Sequence, residues 1–487
     1  MRRVSVYAAL LLLFVGVAQL HADETKVKNV IVMIADGSGF NALEATRMWR
    51  GEGFIYDADD WDKYAMTTYS FARNNKATEQ DAERVYDPVK SWDVRPVEGE
   101  KRGYPYCFEG YKWHMNNYPD SAATMSQMMT GQRMYNGSIN TLPDGTPAVS
   151  VPEMAKKAGK KVGSISTVFM SDATPAAGGG AHHEYRGYQD VIANEMFDAG
   201  ICDVIGGAGN PDYNNNGDRV RPMTEGDYKF VGGQKTWEML KRDVHPKGWK
   251  LIEDKEEIEK LASGELVLNG KVVMVPKVRG TLQQGRKSEG NPRETAPGDD
   301  VLNDNVPTLA AMTQASLNLL GKDKNGFFLQ VEGGAVDKAM HANQTGRMIE
   351  EYDDFHDAVK VVSDYLDANT EGNNWSNTMV IVTADHDHLI MGPEADKIPF
   401  QPLEDRGKGK VPGNKWFYNS HSNMPVPFFV KGQGAELFEK LPKQLDKYEV
   451  EGRTLGRGAY FHQIDMGQTL LGVYQKQIDA KKAEATN

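Results

Sequence analysis

The side chains best suited to chemistry stand at the ends of apolar runs. Val30-Ile-Val-Met-Ile-Ala35 leads into Asp36-Gly37-Ser38-Gly39, and the run Phe327 to Val331 is followed by Glu332, Asp337 and His341. Met379-Val-Ile-Val-Thr383 precedes Asp385 and His386, and His421 comes shortly before the run Val426 to Val430. All are Asp, Glu or His, the donors that hold hard and borderline divalent cations. Singly, each has a plain alternative. Asp-Gly after a strand makes a turn by bonding its own backbone, and Asp337 and His341, four apart on one helix face, form an ion pair as readily as a chelate. Recurrence at several run ends favours one shared metal site.

Ser121, in Pro119-Asp-Ser-Ala-Ala-Thr-Met-Ser-Gln-Met-Met-Thr-Gly131, is the nucleophile candidate. Asp120 or Ser121 caps the helix that follows and Gly131 stops it. The cap explains the serine on its own. The same place also gives a serine oxygen a positive helix dipole and free N–H groups, which favour an alkoxide and an incoming anion. A metal ion would lower its pKa further.

These residues need elements to bring them together. The apolar runs above, with Val162 to Val168, have strand length and predict strands. Ser121 to Thr130, Val151 to Ala158, Val306 to Leu320, Met348 to Leu366 and His462 to Tyr474 carry apolar residues at three- and four-residue spacing and predict helices. Alternation of the two predicts an α/β fold, a largely parallel sheet covered by helices on both faces. Ligands in such sheets sit at the carboxyl ends of the strands, where the Asp, Glu and His residues fall.

About 73–110 and 206–304 are polar and weakly periodic and read as surface insertions on a single domain, 23–487. Within the second, Leu266 to Val275 reads as a hairpin turned at Asn269-Gly270. Asp212-Tyr-Asn214-Asn-Asn216-Gly217 copies the opening of a calcium loop but lacks the Glu at the twelfth position. The Lys/Ala/Glu-rich end from Lys476 is expected to fray.

Composition narrows the class. The 487 residues are 40% hydrophobic and 25% charged, which excludes a disordered or collagen-like chain, and two cysteines cannot staple one this long. A net charge of −12 argues against nucleic acid or an anionic membrane as partner. Arg2 and Arg3 followed by the apolar run Val6 to Ala18 read as a signal peptide over 1–22, so the mature chain is expected to be exported, periplasmic or extracellular. No later stretch is long enough to span a bilayer. Cys107 and Cys202 could pair there or remain thiols.

Together the motifs resemble the alkaline phosphatase family. The resemblance rests on Asp36-Gly-Ser-Gly, Asp120-Ser121-Ala-Ala with Thr130-Gly131, Asp172-Ala-Thr174-Pro-Ala, Glu332-Gly with Asp337 and His341, Thr383-Ala-Asp385-His386, and His421. They occur in the family's order over most of residues 28 to 435. The resemblance implies a homodimeric hydrolase of phosphate monoesters, with two zinc ions and one magnesium ion per subunit and a phosphoserine formed on Ser121. It assigns Asp337, His341 and His421 to one zinc and Asp385, His386 and Asp36 to the other. Asp36, Thr174 and Glu332 go to magnesium, with Asp172 acting through water. Arg186, in His182-His-Glu-Tyr-Arg186, is the implied phosphate clamp, its alternative partner being Glu184; Lys338 is implied to reach phosphate through water. His388 is expected to be a supporting or exposed side chain. A phosphodiesterase or metabolite-specific phosphatase of the same fold, and a secreted binding protein for metal or phosphate, are the competing readings.

Overall fold

The computed structural model describes residues 26–71 and 85–486. The leading segment 1–22 and part of the first expected insertion lie outside them. Eleven strands make one sheet: β1 (Asn29–Ile34), β2 (Asp62–Thr67), β5 (Lys161–Phe169), β6 (Val204–Ala208), β7 (Trp249–Ile252), β8 (Lys271–Met274), β9 (Phe327–Glu332), β10 (Thr378–Thr383), β13 (Val426–Gly432), β14 (Gln444–Val450) and β15 (Arg453–His462). Two short ribbons stand apart from it, β3 (Glu100–Lys101) with β4 (Tyr104–Pro105), and β11 (Asp387–Met391) with β12 (Lys415–Ser422).

The strand order is β14-β15-β2-β13-β10-β1-β9-β5-β6-β8-β7, and every pairing from β10 to β7 is parallel. β1 explains the arrangement from its residues. Val30, Val32 and Ile34 enter one core and Ile31 and Met33 the other, because successive side chains point to opposite faces. An unbroken apolar run therefore marks a strand covered on both sides. Helices Ser121–Thr130, Gln189–Asp198 and Gln463–Thr486 cover the first face, and Phe40–Arg50, Leu309–Leu320 and Thr345–Asp367 the second. β10, β1, β9 and β5 are neighbours, so the segments leaving their carboxyl ends open onto one rim.

The five predicted strands and five predicted helices are all present. Four expectations change. The run at Val426 forms β13, which pairs antiparallel to both β10 and β2 and ends the parallel block. The stretch 206–304 is more than a surface excursion, because β7 and β8 extend the main sheet from inside it. No hairpin turns at Asn269-Gly270: Leu266 continues a turn back to Lys260, and Val272 to Met274 pair in parallel with strands on both sides, where their side chains are buried. The C-terminal helix runs on to Thr486 instead of fraying at Lys476. Ile478 is buried, Gln477 Nε2 donates to Val27 O at 2.7 Å and Lys481 Nζ to Ala158 O at 2.7 Å, which anchors those turns. Cys107 and Cys202 are free thiols.

The first insertion builds a small core of its own. Trp92, Phe108 and Tyr111 pack with Leu389 of β11 and Phe417 of β12, so residues 85–110 sit beside the ribbon that carries His388 and His421.

Candidate active site

Three neighbouring strands set the carboxylates. Asp36 follows β1, Glu332 ends β9 and Asp385 follows β10, and all three are buried. Gly37, at φ +73°, turns the backbone beside Asp36, and its N–H donates to Asp385 Oδ1 at 2.9 Å. His386 N donates to the same oxygen at 2.9 Å, and Thr124 Oγ1 donates to Asp385 Oδ2 at 3.1 Å. Gly39 permits close passage: a Cβ there would lie 1.7 Å from Asp387 Oδ1.

The ligand-type atoms fall into two buried groups, Asp36 with Asp385 and His386, and Asp337 with His386, His388 and His421. His386 Nε2 is 3.3 Å from Asp385 Oδ2 and 3.5 Å from Asp36 Oδ1. His421 Nε2 and His341 Nε2 each lie 3.4 Å from an Asp337 oxygen and 3.0 Å from one another. Two imidazole nitrogens turned face to face beside a carboxylate suit a shared cation. Each ring is aimed from behind by a carbonyl, Asn419 O on His341 Nδ1 at 2.9 Å and Pro119 O on His421 Nδ1 at 2.7 Å. Thr174 Oγ1 is 3.5 Å from Asp36 Oδ2, and Glu332 accepts from Ser166. Asp36 Oδ1 and Glu332 Oε1 are buried with no hydrogen-bond partner. Such orphaned carboxylate oxygens, beside a threonine hydroxyl, fit a hard oxygen-seeking cation.

Electrostatics agree. Burial first, then Asp385, Asp337 and Glu332, push Asp36 well above the ordinary carboxylate range. Burial lifts Glu332 to about 8 against its Ser166 hydrogen bond. His386 is driven far below the usual imidazole value by burial and by His421, which leaves it neutral with a lone pair to give. These are carboxylates and imidazoles that lack only positive charge.

Ser121 opens its helix at this edge. Asp120 caps that helix through Ala123 N at 3.1 Å, and the helix ends at Gly131 in the left-handed conformation. Ser121 Oγ lies 3.1 Å from His386 Nε2. Arg186 donates to Asp172 Oδ1 at 2.7 Å and to Asp120 Oδ2 at 3.3 Å, and Glu184 is not its partner. Lys338 Nζ sits between Asp172 Oδ2 at 3.1 Å and Asp337 Oδ2 at 3.4 Å. Asp172 is thus held below the usual carboxylate range by Lys338 and Arg186 despite its burial. Every residue singled out in the sequence lies in this one cluster.

Sequence reasoning undervalued His388. It is buried, and its Nε2 lies 2.8 Å from Asp337 Oδ1. The signal was available, since residues two apart on a strand face the same way and His388 stands two beyond His386. Thr124 was missed although it is three residues past Ser121 on one helix face. Gln463, whose Nε2 donates to Asp385 O at 3.3 Å while Gln127 donates to its side chain at 2.6 Å, left no local trace. The Asp212 loop closes on itself, with Asn214 Oδ1 taking Asn216 N and Asp218 N while Asp212 accepts from Trp237.

A parallel-sheet α/β protein with a serine at a helix start, beside two carboxylate–imidazole groups and an arginine, defines the class of metal-dependent hydrolases. Residues 27–402 match the family model described as Alkaline phosphatase, and the chain belongs to that family. It is 28% identical over 371 residues to Alkaline phosphatase 3 of Bacillus subtilis, a match covering 75% of this chain and 62% of that one. To the alkaline phosphatase of Escherichia coli it is 29% identical over 391 residues, covering 76% and 73%. The match thus spans under two thirds of the Bacillus relative's length. The solved alkaline phosphatase of the Antarctic bacterium TAB5 shares the fold, with a TM-score of 0.57 at 20% identity over 92% of this chain and 98% of that one.

Proposed function

We propose that the chain is an alkaline phosphatase that hydrolyses phosphate monoesters through a phosphoserine on Ser121. The observation that carries this reading is the seat of Ser121, its Oγ 3.1 Å from His386 Nε2 at a helix N-terminus facing Arg186. Asp337, His341 and His421 would hold one zinc ion, and Asp36, Asp385 and His386 a second. Asp36, Thr174 and Glu332 would hold magnesium, with Asp172 beside it. When bound, these ions supply Lewis acidity that lowers the pKa of a hydroxyl and neutralises phosphate charge.

The protein's own groups do the rest. The start of helix Ser121–Thr130 supplies backbone N–H groups and a positive dipole toward an anion at Ser121. Arg186, oriented by Asp120 and Asp172, presents its remaining N–H groups to phosphate oxygens. Lys338 adds positive charge from the far side of Asp172. In-line attack by Ser121 Oγ breaks the ester P–O bond and releases the alcohol, and water then attacks the phosphoserine from the side the alcohol left.

Export through segment 1–22 and assembly as a homodimer belong to the same reading. They rest on the charged-then-apolar start and on the family resemblance. Among the described residues, no helix is long and apolar enough to cross a membrane. The decisive experiment compares an aryl phosphate monoester with the matching diester, with chelator and after zinc and magnesium are restored. Turnover of the monoester that chelator abolishes, the metals restore and Ser121→Ala eliminates is the expected result. A diester preference would move the chain to phosphodiesterase chemistry, and metal binding without turnover would make it a binding protein.

A further inference from the structure

In-line displacement sets the attacking and leaving oxygens on opposite sides of phosphorus. Ser121 rests on His386, so the departing alcohol faces the end of the site built by Asp337, His341 and His421. That end is open, since the His341 side chain is 37% exposed. What lies beyond His341 comes from both insertions. Asn343, held at φ 56° in the turn after the His341 helix, donates from Nδ2 to Tyr104 OH of β4 at 2.9 Å. One residue earlier, Ala342 O accepts from Arg293 Nε at 3.0 Å. Arg102 sits at the tip between β3 and β4, and its charge reaches Tyr118 and Tyr418. The Tyr118 ring meets His421 edge-on at 5.8 Å, so this tip stands over the same end of the site.

Two features mark the rim as built to receive something. Among the described residues neither Arg102 nor Arg293 has a carboxylate partner, and both are exposed. Asn343 Oδ1 is buried with no hydrogen-bond partner. Asn343 and Arg293 also line an open cavity of about 530 Å³ that continues past Thr345 to Trp416. Two uncompensated guanidiniums flanking an amide, in a protein with net charge −12, concentrate positive potential where the alcohol half must emerge.

We propose that Arg102, Asn343 and Arg293 form a subsite for the alcohol half of the substrate, selecting phosphate monoesters whose alcohol carries a second anionic group. This rests on the phosphatase reading above. Both insertions then share one purpose, since each brings one arginine to the turn that follows His341.

The test uses two aryl phosphates alike except that the ring bears a carboxyethyl group in one and its carboxamide in the other, on the metal-loaded full chain. The expected kcat/KM ratio, carboxylate over carboxamide, is about five at low salt, from two exposed charge contacts, and it shrinks as salt rises. Arg102→Ala with Arg293→Ala should bring the ratio to about one; both side chains are exposed, so folding is not at stake. A ratio near one in the parent chain, or one that the double variant leaves intact, overturns the subsite. No turnover of the carboxamide ester overturns the phosphatase reading instead.

Discussion

Arg186 is the residue whose removal separates binding from chemistry most cleanly. Asp120 and Asp172 hold its fork, and in return it helps keep Asp172 ionised. Arg186→Ala loses charge-assisted bonds to phosphate and should lower kcat/KM of an aryl phosphate by about 10- to 100-fold, read by steady-state kinetics. Inorganic phosphate should inhibit the variant correspondingly less. Arg186→Lys should recover only part of the loss, because an ammonium cannot reproduce the planar fork. His388 is a different case. Its Nε2 holds Asp337 Oδ1, so His388→Ala frees a carboxylate that two other imidazoles also face. The variant should need more zinc for half-maximal activity in a metal titration, by about 10- to 100-fold.

Single helices and strands decide how firmly Ser121 is seated. Its helix meets the C-terminal helix at two glycines: a Cβ on Gly467 would lie 2.4 Å from Gly131 N, and one on Gly131 would lie 2.6 Å from Gln468 Cγ. Gly467→Ala should therefore push the helices apart, lower the thermal midpoint through about 1–3 kcal/mol of overpacking, and lower kcat as Ser121 shifts. Calorimetry and kinetics on one preparation check both. Elements of this kind were only partly legible in the sequence. β1, β9 and β10 announce themselves as unbroken apolar runs ending in acids, because burial on both faces leaves no polar position. β7 and β8 do not, since four-residue edge strands inside a Gly- and Asn-rich stretch carry too short a pattern. The residues that contact metal-type ligands across the fold, Thr124 and Gln463, were hidden for a related reason. Their meaning lies in which helix packs where, and spacing along the chain does not report that.

Across the whole molecule, charge is distributed unevenly. The site combines Arg186 and Lys338 with its metal-ligand carboxylates, so phosphate recognition is local and the net −12 says little about it. A separate buried acid sets a pH dependence. Glu351, on helix Thr345–Asp367, is pushed up to about 8 by burial and then by Asp354 and Glu350, while Arg286 and Arg347 oppose the shift. A folded pKa above the unfolded one means the native state binds the extra proton. Stability is therefore greatest below the ordinary glutamate range and falls as pH rises from there to about 8. Glu351→Gln should match the parent's thermal midpoint near pH 5 and exceed it near pH 9. A constant difference between the two proteins across that range would show that Glu351 is ionised in the fold throughout.

The place of β1 in the sheet bears on how the chain comes into being. It is the first strand made, yet its two partners are β9 and β10, synthesised some three hundred residues later. Until they emerge, both edges of an apolar strand stand unpaired, the condition that invites association with other chains. Pairing at such separation is also slow to form, so the central strand cannot close while synthesis is under way. A chain that must cross a membrane before it folds gains from that delay. Asp36 enters its metal-type cluster only after Asp385 and His421 have arrived, so catalytic competence appears late and all at once. Truncations ending before Phe327 should yield insoluble protein rather than a weaker enzyme.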